Sequence, residues 1–161
     1  MPILTKVQLC SGLLVRDGRL LLVRCTYPGQ AAALWVLPGG RQEAEETIEE
    51  AVIREFAEET SLLVRTTGLA YVSESIDPGI GYHVVNCTFF VEEIDGQHEP
   101  QPVDKAVVEA RYVPVETVPD LLEADVLAIP VGAALRGELG RRYFSFRPED
   151  ISIPFFDRAG A

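Results

Sequence analysis

Glu55, Glu58 and Glu59 are the residues of this chain best placed to do chemistry, because the segment that carries them reads as one amphipathic helix. At 100° per residue they fall at about 0°, −60° and +40° around the helix axis, an arc of roughly 100°. Ile48, Ala51 and Val52 share that arc. The stripe that faces the core therefore begins apolar and ends in three carboxylates. An acidic run is ordinarily a solvated helix face, but a shared apolar stripe argues for the inward side. Desolvating an ionised carboxylate costs several kcal/mol or drives it to protonate, and neighbouring carboxylates repel one another as well. A bound divalent cation resolves the conflict. Three oxygen donors on a rigid helix suit Mg²⁺, with Mn²⁺ as the alternative, and such ions commonly bridge to a substrate phosphate.

The elements that position these acids can be read outward from the helix. Thr47 followed by Glu50 is a capping-box pattern, which starts the helix at Ile48 and lets it run to about Thr60. Before it, residues 34–37 form a short strand, stopped by Pro38-Gly39-Gly40, a turn expected to end the ladder and to need unusual backbone angles. Residues 6–15 and 19–24 are β-prone runs joined by a turn at Arg16-Asp17-Gly18. Further strands are expected at 68–75, 82–93 and 107–113, with loops at 27–33 and 96–104. A short helix at 118–122 precedes a longer one at 124–139, which Pro130 must kink or divide. The tail from Arg141 alternates aromatic and polar residues and ends in Pro154-Phe155-Phe156, expected to pack back on the body. Strands around one central and one C-terminal helix make a mixed α/β sandwich.

Composition narrows the partners. With 161 residues, 47% of them apolar, a single domain over 1–161 is expected. A net charge of −11 argues against a nucleic-acid polymer but leaves room for a small phosphorylated ligand, since bound cations reverse the local sign. Cys10, Cys25 and Cys87 are scattered and form no CxxC pair, which fits reduced packing cysteines. The chain has neither a leader pattern nor an apolar run near 18 residues, so a soluble, cytoplasmic protein with no membrane partner is expected. The apolar first strand and the aromatic tail could serve a homodimer or the core equally.

As spacing, the segment is Gly40, five residues, Glu46, seven residues, then Arg54-Glu55-Phe56-Ala57-Glu58-Glu59-Thr60-Ser61-Leu62. This resembles the Nudix box, G-x5-E-x7-R-E-U-x-E-E-x-G-U, and Trp35-Val36-Leu37-Pro38-Gly39-Gly40 is similar to the strand and turn that lead into it. Two positions depart. Phe56 replaces an aliphatic residue, and Ser61 replaces the glycine that ends the helix, at a cost of about 1 kcal/mol if serine must adopt a left-handed conformation. The resemblance implies a Nudix-type α/β/α sandwich with a mixed β-sheet and a metal-dependent hydrolase of nucleoside diphosphates linked to another moiety. It implies that Glu55, Glu58 and Glu59 are metal ligands, with a carbonyl of Gly39 or Gly40 nearby. By the same likeness Arg54 orients a carboxylate, and Glu46 supports the loop by pairing. Relatives often add a later acidic residue; here Lys105 stands where a glutamate is common, leaving Asp104 and Glu109 as the near candidates beside Glu92 and Glu93, with Glu55 as the base if none serves.

Substrate is less determined. Pro78, 16 residues past Leu62, resembles a marker of ADP-ribose pyrophosphatases, which favours ADP-ribose or a nucleotide sugar, although Asp77-Pro78-Gly79 is also an ordinary turn. Nucleoside triphosphates, including oxidised ones, are the alternative, as is a Nudix module that binds a nucleotide without turnover. Tyr27, Tyr71, Tyr82, Phe144 and Phe146 are candidates for stacking a base. Trp35 reads as core, and His83 and His98 as ordinary polar residues.

Overall fold

Alternation along β3 (Arg19–Cys25) sets the layers. In the computed structural model, which describes residues 1–138 and 140–150, Leu20 and Leu22 enter one core cluster and Leu21 another, as successive side chains on opposite faces require. The first cluster holds Val118 and Leu122 beside α2 (Val118–Leu121), and Val126, Val131 and Ala133 of α3 (Asp125–Leu135). The second holds Ala51, Val52 and Phe56 of α1 (Ile48–Thr60). Helices thus cover both faces of the β-structure, the α/β/α layering that was expected.

One sheet is mixed and five-stranded, in the order β5 (Gly39–Arg41), β1 (Thr5–Leu13), β7 (Tyr82–Glu93), β6 (Val64–Asp77) and β9 (Tyr143–Phe146). The pairs β1–β7 and β6–β9 are parallel and the others antiparallel. The second sheet is antiparallel: β3 pairs with β2 (Val15–Arg16), β4 (Leu34–Val36) and β8 (Val107–Pro114).

Several expectations change. The run 6–15 is not one strand. It breaks at buried Leu14, and the chain crosses to the other sheet, where Asp17 (φ 50°) and Gly18 (φ 70°) make the tight turn from β2 into β3. Pro38-Gly39-Gly40 does not end strand pairing. Gly39 and Gly40 lie in β5, opposite Ser11 and Cys10. Neither has a positive φ. At Gly39 glycine is required by close approach instead: a Cβ there would lie 2.1 Å from the Cys10 carbonyl oxygen, while one on Gly40 would lie 2.4 Å from Glu55 Oε1 and displace that carboxylate. Phe56 is accommodated in the same way, since a Cβ on Gly12 would lie 2.4 Å from its ring.

Strand β6 begins four residues before the expected 68, and α3 stops at Leu135 because Gly137 turns the chain at φ 69°, its N–H bonded to the Ala134 carbonyl. Pro130 lies inside α3 without dividing it. The tail contributes β9, which buries Phe144 and Phe146, while Pro154-Phe155-Phe156 lies outside the described residues. The three cysteines are free. Among the described residues no helix is long and apolar enough to cross a membrane.

Candidate active site

The end of α1 meets β5 beside a cavity of about 530 Å³, within the usual range for small-molecule sites. Helix α1 is entered through a complete capping box: the Glu50 N–H donates to Thr47 Oγ1 at 3.2 Å, and the Thr47 N–H to Glu50 Oε2 at 2.7 Å. This fixes the phase in which the three glutamates emerge. Glu59 is 7% exposed, and its Oε2 accepts the Gly39 N–H at 2.9 Å. Burial pushes its carboxyl up to about 8; the Gly39 bond opposes the shift, and the charges of Glu55, Asp104 and Glu58 add to it. Glu55 lies under Gly40, and burial raises its pKa too, against the pull of Arg54.

Arg54 organises the acids around it. Its Nε and Nη2 donate to the two Glu46 oxygens at 3.0 and 2.7 Å, a bidentate fork. Nη1 donates to Glu55 Oε1 at 2.9 Å and to Glu58 Oε2 at 3.3 Å, and Nη2 also reaches the Arg41 carbonyl at 3.0 Å. The fork, helped by the Glu43 N–H, holds the Glu46 carboxyl down at about 2. Glu58 differs from its neighbours. Its side chain is 49% exposed and turned onto Arg54 rather than inward. Its angular place, about 100° from Glu59, sets it at the margin of the buried stripe.

Of the later acids, Asp104 alone bears on the site: its charge acts on Glu59 and Glu55. Glu109 is taken up by Arg24 at 3.4 Å and Arg111 at 3.5 Å, Glu92 pairs with Arg65, and Glu93 forms a largely buried pair with Arg16. Among the described residues no three acidic, histidine or cysteine side chains already form a cage for a cation. The donor set nonetheless suits a hard ion. The carboxylates of Glu55 and Glu59 stand against the Gly39–Gly40 backbone, where a Cβ on Gly39 would meet the Cys10 carbonyl, and the charge of Asp104 acts on both.

The cavity beyond Glu59 has apolar walls, Val36, Leu37, Val84, Val126 and Leu127, with Tyr27 and Tyr82 among its lining. Four polar residues of one sheet face, Ser11, Ser73, Ser75 and Asn86, also line it, as does Thr26. Asn86 Nδ2 donates to Thr88 Oγ1 at 2.9 Å, which lies 2.6 Å from Ser11 Oγ. Arg41 and Glu59 are its charged lining residues. Of the five aromatic candidates, Tyr27 and Tyr82 line it. Tyr71, Phe144 and Phe146 are core, Tyr71 and Phe144 meeting edge to face with centroids 6.0 Å apart. Pro78 is exposed on the β6–β7 turn and does not line the cavity. Trp35 packs against the first cluster, under Arg111 and Arg24. Sequence reasoning missed the polar sheet face. Its signal was there: Ser73 and Ser75, and Asn86 and Thr88, sit two apart in their strands, so each pair projects to one side.

Comparison with known proteins bears on the family of the chain. A family model described as a NUDIX domain matches residues 7–131. An ADP-ribose pyrophosphatase from Methanocaldococcus jannaschii is 36% identical over 88 residues, 54% of this chain and 51% of that protein, so the match spans about half of that relative's length. Phosphatase NudJ from Escherichia coli is 30% identical over 141 residues, 86% of this chain and 88% of its own. The crystal structure of a MutT NUDIX hydrolase from Burkholderia pseudomallei superposes with a TM-score of 0.68 at 28% identity, over 80% of this chain and 97% of that one.

Proposed function

This chain belongs to the NUDIX family, and from that premise we propose that it is a hydrolase splitting the pyrophosphate bond of a nucleoside diphosphate joined to a second moiety, with Mg²⁺ or Mn²⁺ at the Gly39–Glu59 site. The observation that carries this reading is the buried Glu59 carboxylate, tied to the Gly39 N–H and opening on the cavity. Nudix hydrolases generally use divalent metals. Glu55 and Glu59, with a carbonyl of Gly39 or Gly40, are the groups that would hold the ion, and Glu58 would join them by turning from Arg54. A divalent cation held there supplies neutralising charge for the diphosphate and lowers the pKa of water.

The chain's own residues do the remaining work. Arg54 fixes Glu55 through Nη1, and Glu46 fixes Arg54 through its fork. Asp104 is the later acid that completes the site, and Glu55 Oε2 is free of the Arg54 bond and suited to accept the proton of an attacking water. Because Arg41 and Glu59 are the charged groups of the lining, the cavity suits an uncharged moiety between Tyr27 and Tyr82, with the diphosphate left at the acidic mouth. ADP-ribose, or a nucleotide sugar, is the preferred class, supported by the name of the M. jannaschii relative.

A panel of ADP-ribose, nucleotide sugars, nucleoside triphosphates including oxidised ones, and dinucleoside polyphosphates, assayed with Mg²⁺, tests the proposal. Release of two phosphate monoesters from ADP-ribose is expected. Turnover confined to triphosphates would replace this substrate class with the alternative, and no turnover on any of them would favour a binding module.

A further inference from the structure

We propose that Ser61 is a positioning residue: its hydroxyl latches residues 101–104 to the end of α1 and so holds Asp104 at the helix end that carries Glu58 and Glu59. The inference rests on the reading of the site just given. Ser61 takes φ 61° and ψ 10° at the C-cap of α1. Glycine would adopt that left-handed conformation more cheaply, so the serine looks like a defect until its side chain is followed. Its Oγ donates to the Gln101 carbonyl at 2.6 Å. The Gln101 N–H returns to the Thr60 carbonyl at 2.8 Å, and the Val103 and Asp104 N–H groups donate to the Glu58 carbonyl at 3.3 and 3.0 Å.

The last carbonyls of α1, which a helix leaves unsatisfied, are thus capped by the segment that delivers Asp104. Asp104 Oδ1 in turn accepts the Ala106 N–H at 2.8 Å, just before β8 begins. Three of the four bonds between helix end and segment are backbone to backbone; Ser61 supplies the one a substitution can remove. The serine trades conformational ease for a hold on the segment that carries Asp104.

Three substitutions separate latch from cap. Ser61→Gly removes the hydroxyl and eases the backbone, and Ser61→Ala removes it without easing. Ser61→Asn tolerates the left-handed region and returns an N–H donor. Amide hydrogen exchange at 101–104 is read on each protein, together with Tm and with kcat and KM for ADP-ribose in Mg²⁺. Exchange at the Val103 and Asp104 amides should quicken about fivefold, and kcat should fall about fivefold, in both Ser61→Gly and Ser61→Ala, as expected for losing one modest hydrogen bond. KM should stay within about twofold, Ser61→Gly should melt no lower than the wild type, and Ser61→Asn should restore both exchange and kcat. Unchanged exchange in Ser61→Gly overturns the latch. The exchange readout needs no substrate, so it decides the latch whatever the substrate proves to be. Full turnover by Glu59→Gln would instead sink the reading of the site and leave the exchange result standing.

Discussion

Glu59→Gln is expected to stabilise the metal-free protein while removing most of its turnover. The carboxyl is 7% exposed and its pKa is raised from 4.5 to about 8, first by burial and then by Glu55, Asp104 and Glu58. The folded form therefore keeps this proton to higher pH than the unfolded chain. Its contribution is fully present below about pH 4.5 and is lost as pH rises through about 8. At 1.36 kcal/mol per unit, the loss by pH 7.5 is on the order of 4 kcal/mol. Glutamine keeps an oxygen for the Gly39 N–H and has no charge to desolvate. With part of the penalty already relieved by relaxation and water, a gain of roughly 1–3 kcal/mol is expected. Urea unfolding in EDTA at pH 5 and pH 8 reads it: variant and wild type should lie close at pH 5 and separate at pH 8, the variant higher. Added Mg²⁺ should raise the wild-type Tm, because an ion bound by the folded state alone shifts the equilibrium, and raise that of the variant less. The kcat should drop at least ~100-fold. A variant less stable at pH 8, or one hydrolysing at the wild-type rate, would show that this carboxylate is not the strained group described.

Three further outcomes follow from the same geometry. Gly39→Ala places a Cβ 2.1 Å from the Cys10 carbonyl oxygen, so chemical denaturation should show a loss of roughly 3 kcal/mol as β5 is pushed from β1. Glu46, held at about 2 in the folded state against an ordinary 4.5, contributes stability above about pH 4.5 that disappears as pH falls toward 2. Glu46→Gln should flatten that acid limb and, by freeing Arg54, lower kcat about tenfold. Chelation by EDTA should abolish hydrolysis, with Mg²⁺ or Mn²⁺ restoring it; persistence in EDTA would remove the metal from the scheme.

Much of the fold was legible where local spacing decides the outcome. Thr47 and Glu50 place the start of α1 because a capping box is a local hydrogen-bond pattern, and Asp17-Gly18 marks its turn because both residues tolerate positive φ. Where a distant strand decides, the sequence was silent. Gly39-Gly40 reads as a turn in isolation, and only β1 at close range makes it a strand. The same holds for β9, four residues that pair with β6 from 71 positions away at Val72 and Tyr143. In the candidate site, helical phase gave an inward Glu59 and Glu55 but placed Glu58 with them. It could not foresee that Arg54 would draw the marginal carboxylate outward. Nor could spacing choose between Asp104 and Glu109, since that depends on Arg24 and Arg111 claiming the second.

Anomalous scattering from a crystal grown with Mn²⁺ and a non-hydrolysable ADP-ribose analogue bears most directly on the metal and its acids. Manganese peaks beside Glu59 and Glu55, next to the Gly39–Gly40 backbone and the analogue's diphosphate, are expected. Manganese elsewhere on the surface, with Glu59 still buried against the Gly39 N–H and no ion near it, would contradict them.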